Sequence, residues 1–179
     1  MSMYKKSISS WVRPAGGPLV LLPKHLLNDW QGTDKLNSQS TSDYERSCSI
    51  NNYLGTLYVR DEQIVVLGDE PMQTAWISNI GFQGGCLIRW KYAPDYQTVT
   101  RHCMELDYTV LPRPESFISL TDKRLFLFDA AYPGREINKF PEDILEISLK
   151  ETGEYGIGIF HFKPSKSVWL IMHKLEKVS

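Results

Sequence analysis

Adjacent carboxylates at Asp69 and Glu70 are the strongest candidates for chemistry in this chain. Carboxylates that lie close together shift each other's pKa, and such pairs serve as general acids and bases or as metal ligands. Neighbouring side chains usually diverge, however, and Pro71 follows directly. The same pattern fits a β-turn whose aspartate accepts hydrogen bonds from nearby amides. Two interpretations stay open at this point: a metal-dependent hydrolase that combines this loop with a histidine, and a surface turn.

The four histidines are dispersed along the chain. His161 and His173 fall on two predicted neighbouring strands, where two imidazoles can lie close enough to share a metal ion. No third ligand accompanies them, so polar strand positions are the simpler interpretation. His102 and Cys103 are adjacent on a predicted helix and point about 100° apart, which favours a packed cysteine beside a half-exposed histidine. No catalytic signature surrounds any serine or cysteine, and we predict no catalytic residue, metal or cofactor.

Two cations alternate with two aromatic residues along residues 89–92. Such a pattern suits a binding surface, since aromatic and arginine side chains dominate interfaces and stack on flat ligands. On a strand, Arg89 and Lys91 share one face while Trp90 and Tyr92 share the other. We therefore predict a solvent-facing side that carries the two cations and a core side that carries the two rings.

The elements that position these residues are predicted mostly as strands, bounded by Gly, Pro and Asp-rich turns. Hairpins are predicted at 11–22, 53–67 and 117–128, further strands at 72–78, 86–92 and 108–111, and an antiparallel meander over 144–175. Short helices are predicted at 23–30, 42–48 and after residue 93, and a polar loop at 33–41. The expected fold is one α+β domain over residues 1–179, mainly antiparallel sheet with two or three short helices, with 1–10 as a loose tail.

Residues 59–67 and 120–128 share a pattern of strand, polar turn and buried strand. A true internal duplication and the common chemistry of hairpins both explain this similarity.

The 179 residues carry a net charge of −1, so overall charge indicates neither nucleic acid nor an anionic membrane as a partner. The acidic part is the middle, where residues 61–129 contain six basic and ten acidic side chains. Three widely spaced cysteines without a paired motif argue against a disulfide framework and a zinc site, and favour the cytoplasm. The N-terminus lacks the apolar stretch of a secretory signal, and no apolar run reaches the roughly 18–20 residues of a membrane span.

Seven segments together give the sequence a family resemblance. They are WVRPAGGPLVLLPKHLLNDWQG (11–32), SDYERSC (42–48), YLGTLYV (53–59), VVLGDEPMQTAWI (65–77), GGCLIRWKYAPD (84–95), LFLFDAAYPG (125–134) and SVWLIMHKL (167–175). In this order they resemble the immunity protein 21 family, bacterial proteins encoded beside polymorphic toxins. The similarity extends from about residue 10 to residue 176, and the ordered string GGPLxLLP, LGDEP, TxW and RWxYA is more specific than any single piece.

The resemblance implies a small cytoplasmic protein, not an enzyme, that binds a cognate toxin domain and blocks it. The acidic middle would suit a basic toxin such as a nuclease, because opposite charges accelerate association. We expect the toxin-binding face to be the region where acidity and aromatic content concentrate: Asp69, Glu70, Trp76, Arg89 and Lys91. The alternatives are the hydrolase described above and a ligand-binding domain without a toxin partner.

Overall fold

The structure is a computed structural model that describes residues 5–68, 70–114 and 116–178. Within these ranges, eleven strands form two antiparallel sheets, accompanied by two α-helices and four 3₁₀ helices. The strands are β1 (Ser7–Ile8), β2 (Leu19–Pro23), β3 (Gly55–Val59), β4 (Glu62–Leu67), β5 (Thr74–Ser78), β6 (Gly84–Tyr92), β7 (Ser116–Leu120), β8 (Arg124–Asp129), β9 (Leu145–Ser148), β10 (Gly153–Ser165) and β11 (Val168–Lys177). The helices are α1 (Asp43–Cys48), α2 (Tyr96–Glu105) and the 3₁₀ helices Lys24–Asp29, Tyr108–Val110, Gly134–Lys139 and Pro141–Asp143. The predicted α+β class is confirmed.

Two sheets divide the strands between them. The six-stranded sheet has the order β1-β5-β6-β11-β10-β7, and the five-stranded sheet has the order β3-β4-β2-β8-β9. The sheets pack face to face over a core to which both contribute, including Leu87 and Leu175 from one sheet and Leu21 and Leu127 from the other. This arrangement is a β-sandwich.

Helical segments cover both outer faces of the sandwich. The 3₁₀ helix Lys24–Asp29 brings Leu26 against the outer side of the five-stranded sheet, and Trp30 follows it there. On the six-stranded sheet, α2 contributes Val99 and Cys103 to a third core cluster. Because the inner strands are covered on both faces, their sequences are continuous apolar runs and do not alternate with polar residues.

Side-chain caps define where the α-helices begin. Ser42 accepts a hydrogen bond from the amide of Glu45 at 3.1 Å, and the Glu45 carboxylate accepts one from the amide of Ser42 at 2.8 Å, which together form a capping box. Asp95 accepts from the amide of Thr98 at 2.7 Å at the start of α2. The predicted helices at 42–48 and after residue 93 are confirmed.

Two of the three predicted hairpins are wrong. The segment before β2 does not pair with it: Val12 bridges to Thr74 in the six-stranded sheet, while β2 lies between β4 and β8. Likewise β7 and β8 belong to different sheets, although a short turn joins them. In both segments the chain passes from the six-stranded sheet to the five-stranded sheet. The hairpin of β3 and β4 is confirmed.

The pattern shared by residues 59–67 and 120–128 therefore does not correspond to one repeated structure, since only the first is a hairpin.

In the predicted meander, β10 and β11 do pair, but β9 pairs with β8 in the other sheet. Residues 108–111 are not a strand, because Tyr108–Val110 is a 3₁₀ helix capped by Asp107. Within the segment predicted as a tail, Ser7–Ile8 forms β1 and pairs with β5.

Candidate binding site

Three of the five predicted site residues lie together at one end of the sandwich. Glu70 and Lys91 form an ion pair there, and Arg89 donates to the backbone carbonyl of Glu70 at 2.7 Å. Trp76 lies elsewhere: its side chain is buried between the sheets over Gly85, where a Cβ atom would come within 2.2 Å of the indole. Asp69 lies outside the described residues.

Arg89 holds this end of the molecule together from the inside. Its guanidinium donates to the carbonyls of Tyr53 and Gly68, both at 3.0 Å, as well as to that of Glu70. A buried charge is tolerated only where hydrogen bonds replace its hydration, and the five donors of arginine allow several carbonyls to be satisfied at once. Residue 53, which precedes β3, and residues 68 and 70, which follow β4, are thereby connected to the six-stranded sheet.

The prediction that Arg89 faces solvent was wrong. Arg89 is 1% exposed, since its side of β6 is also the side of Leu87, which faces the five-stranded sheet. Tyr92, predicted to face the core, is 45% exposed. The alternation of side chains along β6 was predicted correctly, but both faces of its central part are covered.

Lys91 lies at the centre of this end, with 16% of its side chain exposed. Its ammonium contacts the Glu70 carboxylate and donates to the hydroxyl of Tyr53 at 2.9 Å. The hydrogen bond with Glu70, followed by that with Tyr53, raises the pKa of Lys91 above its ordinary value. The ammonium also lies 5.4 Å from the centre of the Tyr53 ring and 5.0 Å from that of Trp169, within the range of cation–π attraction.

Trp169 connects Lys91 to the neighbouring strands. Its indole N–H donates to Nδ1 of His161 at 3.2 Å, and the ammonium of Lys163 lies 3.7 Å from its ring centre. Trp169 thus contacts two cations, and the edge of Tyr92 approaches it at 5.9 Å between ring centres. We use the name Lys91 cluster for Tyr53, Glu70, Arg89, Lys91, His161, Lys163 and Trp169.

Sequence reasoning did not predict Tyr53, Lys163 or Trp169 as site residues, and it considered His161 only as a possible metal ligand. Trp169 stands in one of the segments that carry the family resemblance, and this was the available signal. Its partners were not accessible, because they depend on the order β6-β11-β10, which places residues about eighty positions apart side by side.

A second aromatic group lies on the opposite face of the same end of β6. Trp90 packs against Tyr96 of α2 with ring centres 4.6 Å apart, and against Trp11 at 5.7 Å. Trp11, Trp90 and Trp169 are three of the five tryptophans in the chain. Aromatic side chains therefore concentrate around the last residues of β6.

The two histidines predicted to face each other are offset by one step. His161 pairs with Ile171 and His173 with Ile159, so the imidazoles lie on one face of neighbouring strands but not directly opposite.

His173 is completely buried, and neither ring nitrogen has a hydrogen-bond partner in the part of the chain described. Burial, followed by the charge of Arg89, holds the pKa of His173 well below its ordinary value. Among the described residues, no three His, Cys, Asp or Glu side chains are placed to hold a metal ion.

The cysteines form no disulfide within the described residues. Cys86 and Cys103 are buried and Cys48 is exposed. Burial raises the pKa of the Cys86 thiol, and it raises that of Cys103 to about 12. Both buried thiols are therefore protonated and act as small apolar side chains.

The fold and this end of the sandwich define an α+β protein with an aromatic and cationic surface cluster. The chain belongs to the immunity protein 21 family, whose model matches residues 10–167. Family membership assigns it an immunity role in general and confirms the resemblance noted in the sequence. No curated protein and no solved structure matches the chain. No helix in residues 5–68, 70–114 and 116–178 is long and apolar enough to cross a membrane.

Proposed function

We propose that this protein neutralises a cognate toxin domain in the cytoplasm of the producing bacterium by binding it through the Lys91 cluster. The observation that carries this proposal is the position of Lys91 and Lys163 against Trp169, with polar groups of Glu70 and Tyr53 beside them. Aromatic anchors surrounded by charged groups are typical of the residues that dominate protein–protein affinity. An interface of ordinary size would bury roughly 1,200–2,000 Å² around them.

The binding site is rigid before the toxin arrives. Arg89 donates to the backbone carbonyls of residues 53, 68 and 70, and the rings of Tyr53 and Trp169 pack against Lys91. A surface that is already ordered loses little conformational entropy on binding, which leaves more of the contact energy for affinity. Binding alone, without a catalytic step, then suffices to block the toxin.

The charge of the cluster changes the expected role of Glu70. Its carboxylate is paired with Lys91, so the acidic loop does not present a free negative charge at that residue. Lys163 is exposed and supplies the cation that faces outward, and we infer that it meets carboxylates or carbonyls of the toxin. Lys91 is only 16% exposed and orients Glu70. That the toxin is a basic nuclease remains a prediction.

The test is the affinity of the purified chain for the toxin domain encoded beside its gene, measured by isothermal titration calorimetry. Trp169→Ala should weaken binding by about 30-fold or more, which corresponds to the roughly 2 kcal/mol of an interface hot spot. Tyr58→Ala is the matched control, because Tyr58 is a 57% exposed aromatic residue on β3, away from the cluster. Equal affinity of both variants would contradict this location of the binding site.

The acidic loop is tested separately by reversing the charges of Asp69 and Glu70. We expect weaker binding, because Lys91 loses the partner that orients it. Unchanged affinity for the toxin would remove these two positions from the binding surface.

A further inference from the structure

The outer edge of the six-stranded sheet is incomplete on β10. Strand β7 pairs with β10 only from Gly153 to Ile157, whereas β10 continues to Ser165. Among the described residues, the strand ladders pair 158–162 with β11 alone. One side of this five-residue segment, which we call the free edge, therefore has no strand partner among the described residues, and Pro114 lies against it near Gly158.

The direction of the backbone groups on the free edge follows from one hydrogen bond. The amide of Val178 donates to the carbonyl of Glu154 at 2.9 Å, so even-numbered residues of β10 direct their N–H and C=O groups toward β11. Because the direction alternates along an antiparallel strand, the backbone groups of Ile159 and His161 point away from β11, toward the free edge. These outward-pointing N–H and C=O groups can form main-chain hydrogen bonds with an added strand.

Three of the other strands at the sheet edges are short or covered, while β7, the outermost strand beside β10, spans five residues. Strand β1 has two residues and β9 has four. Strand β3 is approached by α1 and the residues after it, where Arg46 donates to the carbonyl of Tyr58 at 2.6 Å and the side chain of Ile50 packs at Gly55. Proteins usually protect exposed edges with charges, prolines or short strands. The free edge instead carries the apolar residues Ile159, Phe160 and Phe162, and the first Lys and Pro follow only at 163 and 164.

A groove with a volume of about 410 Å³ lies beside the free edge. Its wall includes Pro112, Arg113 and Pro114 opposite Gly158 and Ile159. Two basic side chains, Arg113 and Lys174, line it together with apolar residues, and no acidic residue does so among the described part of the chain. Lys174 is paired with Glu176. Arg113 lines this groove and also a neighbouring one that includes Gly156, and Lys163 follows the other end of the free edge. The groove therefore favours a ligand that is extended, partly apolar and acidic.

We propose that an acidic, extended segment of the toxin adds to the free edge of β10 as an additional strand and places one side chain in the groove beside Ile159. This inference rests on the proposed function and names the way in which the partner is held. His161 belongs to both the free edge and the Lys91 cluster, and Lys163 of the cluster follows the free edge directly in sequence, so a bound strand would continue into the proposed site. Five residues in extended form span about 17 Å, enough for several main-chain hydrogen bonds.

The decisive comparison is between Ile159→Pro and Ile159→Ala. Both variants remove the Ile159 side chain, but only proline also removes the N–H that points outward, and neither removes a hydrogen bond to β11. We expect Ile159→Pro to bind the neighbour-encoded toxin at least tenfold more weakly than Ile159→Ala. Equal affinities of two folded variants, checked by circular dichroism and thermal melting, would overturn the strand-addition mode.

A measurement on the unmodified chain keeps the inference testable if the proline variant does not fold. Hydrogen exchange of the amides of Ile159 and His161 should slow in the presence of saturating toxin. If the toxin binds and these amides exchange as they do in the free chain, strand addition is wrong while the proposed function stands. If the toxin does not bind the unmodified chain, the proposed function itself fails.

Charge and self-association are tested in the same system. Arg113→Glu should weaken toxin binding more than Arg113→Gln, because the first repels an acidic segment and the second only removes an attraction. Equal effects would contradict the acidic character of the segment. Slowed exchange at Ile159 and His161 that depends on the concentration of the chain alone would identify a second copy as the occupant and overturn the proposal for the toxin.

Discussion

The two ends of the β3–β4 hairpin handle charge in different ways. At the turn end, His25 contacts Glu62 at 2.7 Å and Asp122 at 3.5 Å, and charged side chains from three turns satisfy one another. At the opposite end, Lys91 and Lys163 lie against the rings of the Lys91 cluster, and Arg89 is buried beneath them. Charges that are matched by opposite charges stabilise the fold locally. At the other end Lys91 also pairs with Glu70, but the exposed ammonium of Lys163 is stacked on Trp169 and can donate to a partner, and this difference favours the Lys91 end as the binding end.

Replacing Arg89 should produce the largest effect on this contrast. Arg89→Met removes the donors that satisfy three buried or part-buried carbonyls at 53, 68 and 70. We expect a loss of about 3 kcal/mol or more in the free energy of unfolding, because unsatisfied buried acceptors cost about 1–3 kcal/mol each. Urea denaturation followed by tryptophan fluorescence measures it.

Arg124→Met is the matched control for Arg89→Met. Arg124 pairs with Glu146 on the surface and is 44% exposed, so its loss should change stability by no more than about 1 kcal/mol. If the two arginine variants were equally stable, Arg89 would not hold the Lys91 end together, and the claim that this site is rigid before binding would fall.

The second effect concerns the buried His173, which lies beneath the Lys91 end. Its pKa in the folded protein is lowered by burial and by Arg89, so on acidification the unfolded chain takes up a proton that the folded chain does not. Stability should therefore fall as the pH drops below about 6.5, by up to about 1.4 kcal/mol per pH unit until the folded pKa is reached.

His173→Leu isolates this contribution. The variant replaces a buried imidazole, whose nitrogens have no described hydrogen-bond partner, with an apolar side chain of similar size. Unfolding midpoints measured between pH 7.5 and pH 5 should decline less steeply in the variant than in the unmodified protein. Parallel curves for the two proteins would show that His173 is not the group responsible.

The contrast between the two ends was only partly predictable from the sequence. Glu70, Arg89 and Lys91 were predicted to share one region, because an acidic loop and an alternating strand lie close in sequence. The burial of Arg89 was not predictable, since alternation assigns side chains to two faces without showing which face is covered. In a strand buried on both faces, that choice depends on the second sheet.

The same physical reason explains the successes and errors in the fold. Continuous apolar runs located β2, β4 and β8 well, because such runs are typical of strands covered on both sides. They did not indicate which strands pair, since a strand that is apolar on both faces fits several neighbours equally. The Gly and Pro residues at 14–18 were interpreted as a hairpin turn, yet they allow the chain to leave one sheet and enter the other.

The smallest effect is expected at the turn end, where His25 responds to pH in the sense opposite to His173. The hydrogen bond to Glu62 raises the pKa of His25 against a smaller lowering by burial, with Asp122 adding to the rise. The resulting stability is fully present below the unfolded pKa of about 6.5 and is lost as the pH rises through the higher folded pKa. Since His25 is 41% exposed and screened by solvent, its contribution should be below about 0.5 kcal/mol.

His25→Gln should therefore lower stability slightly at pH 6 and leave it unchanged at pH 8.5, as measured by urea denaturation at both values. A larger loss at pH 8.5 than at pH 6 would contradict the ion pair as the cause, and would mean that the turn end depends on packing by the imidazole and not on its charge.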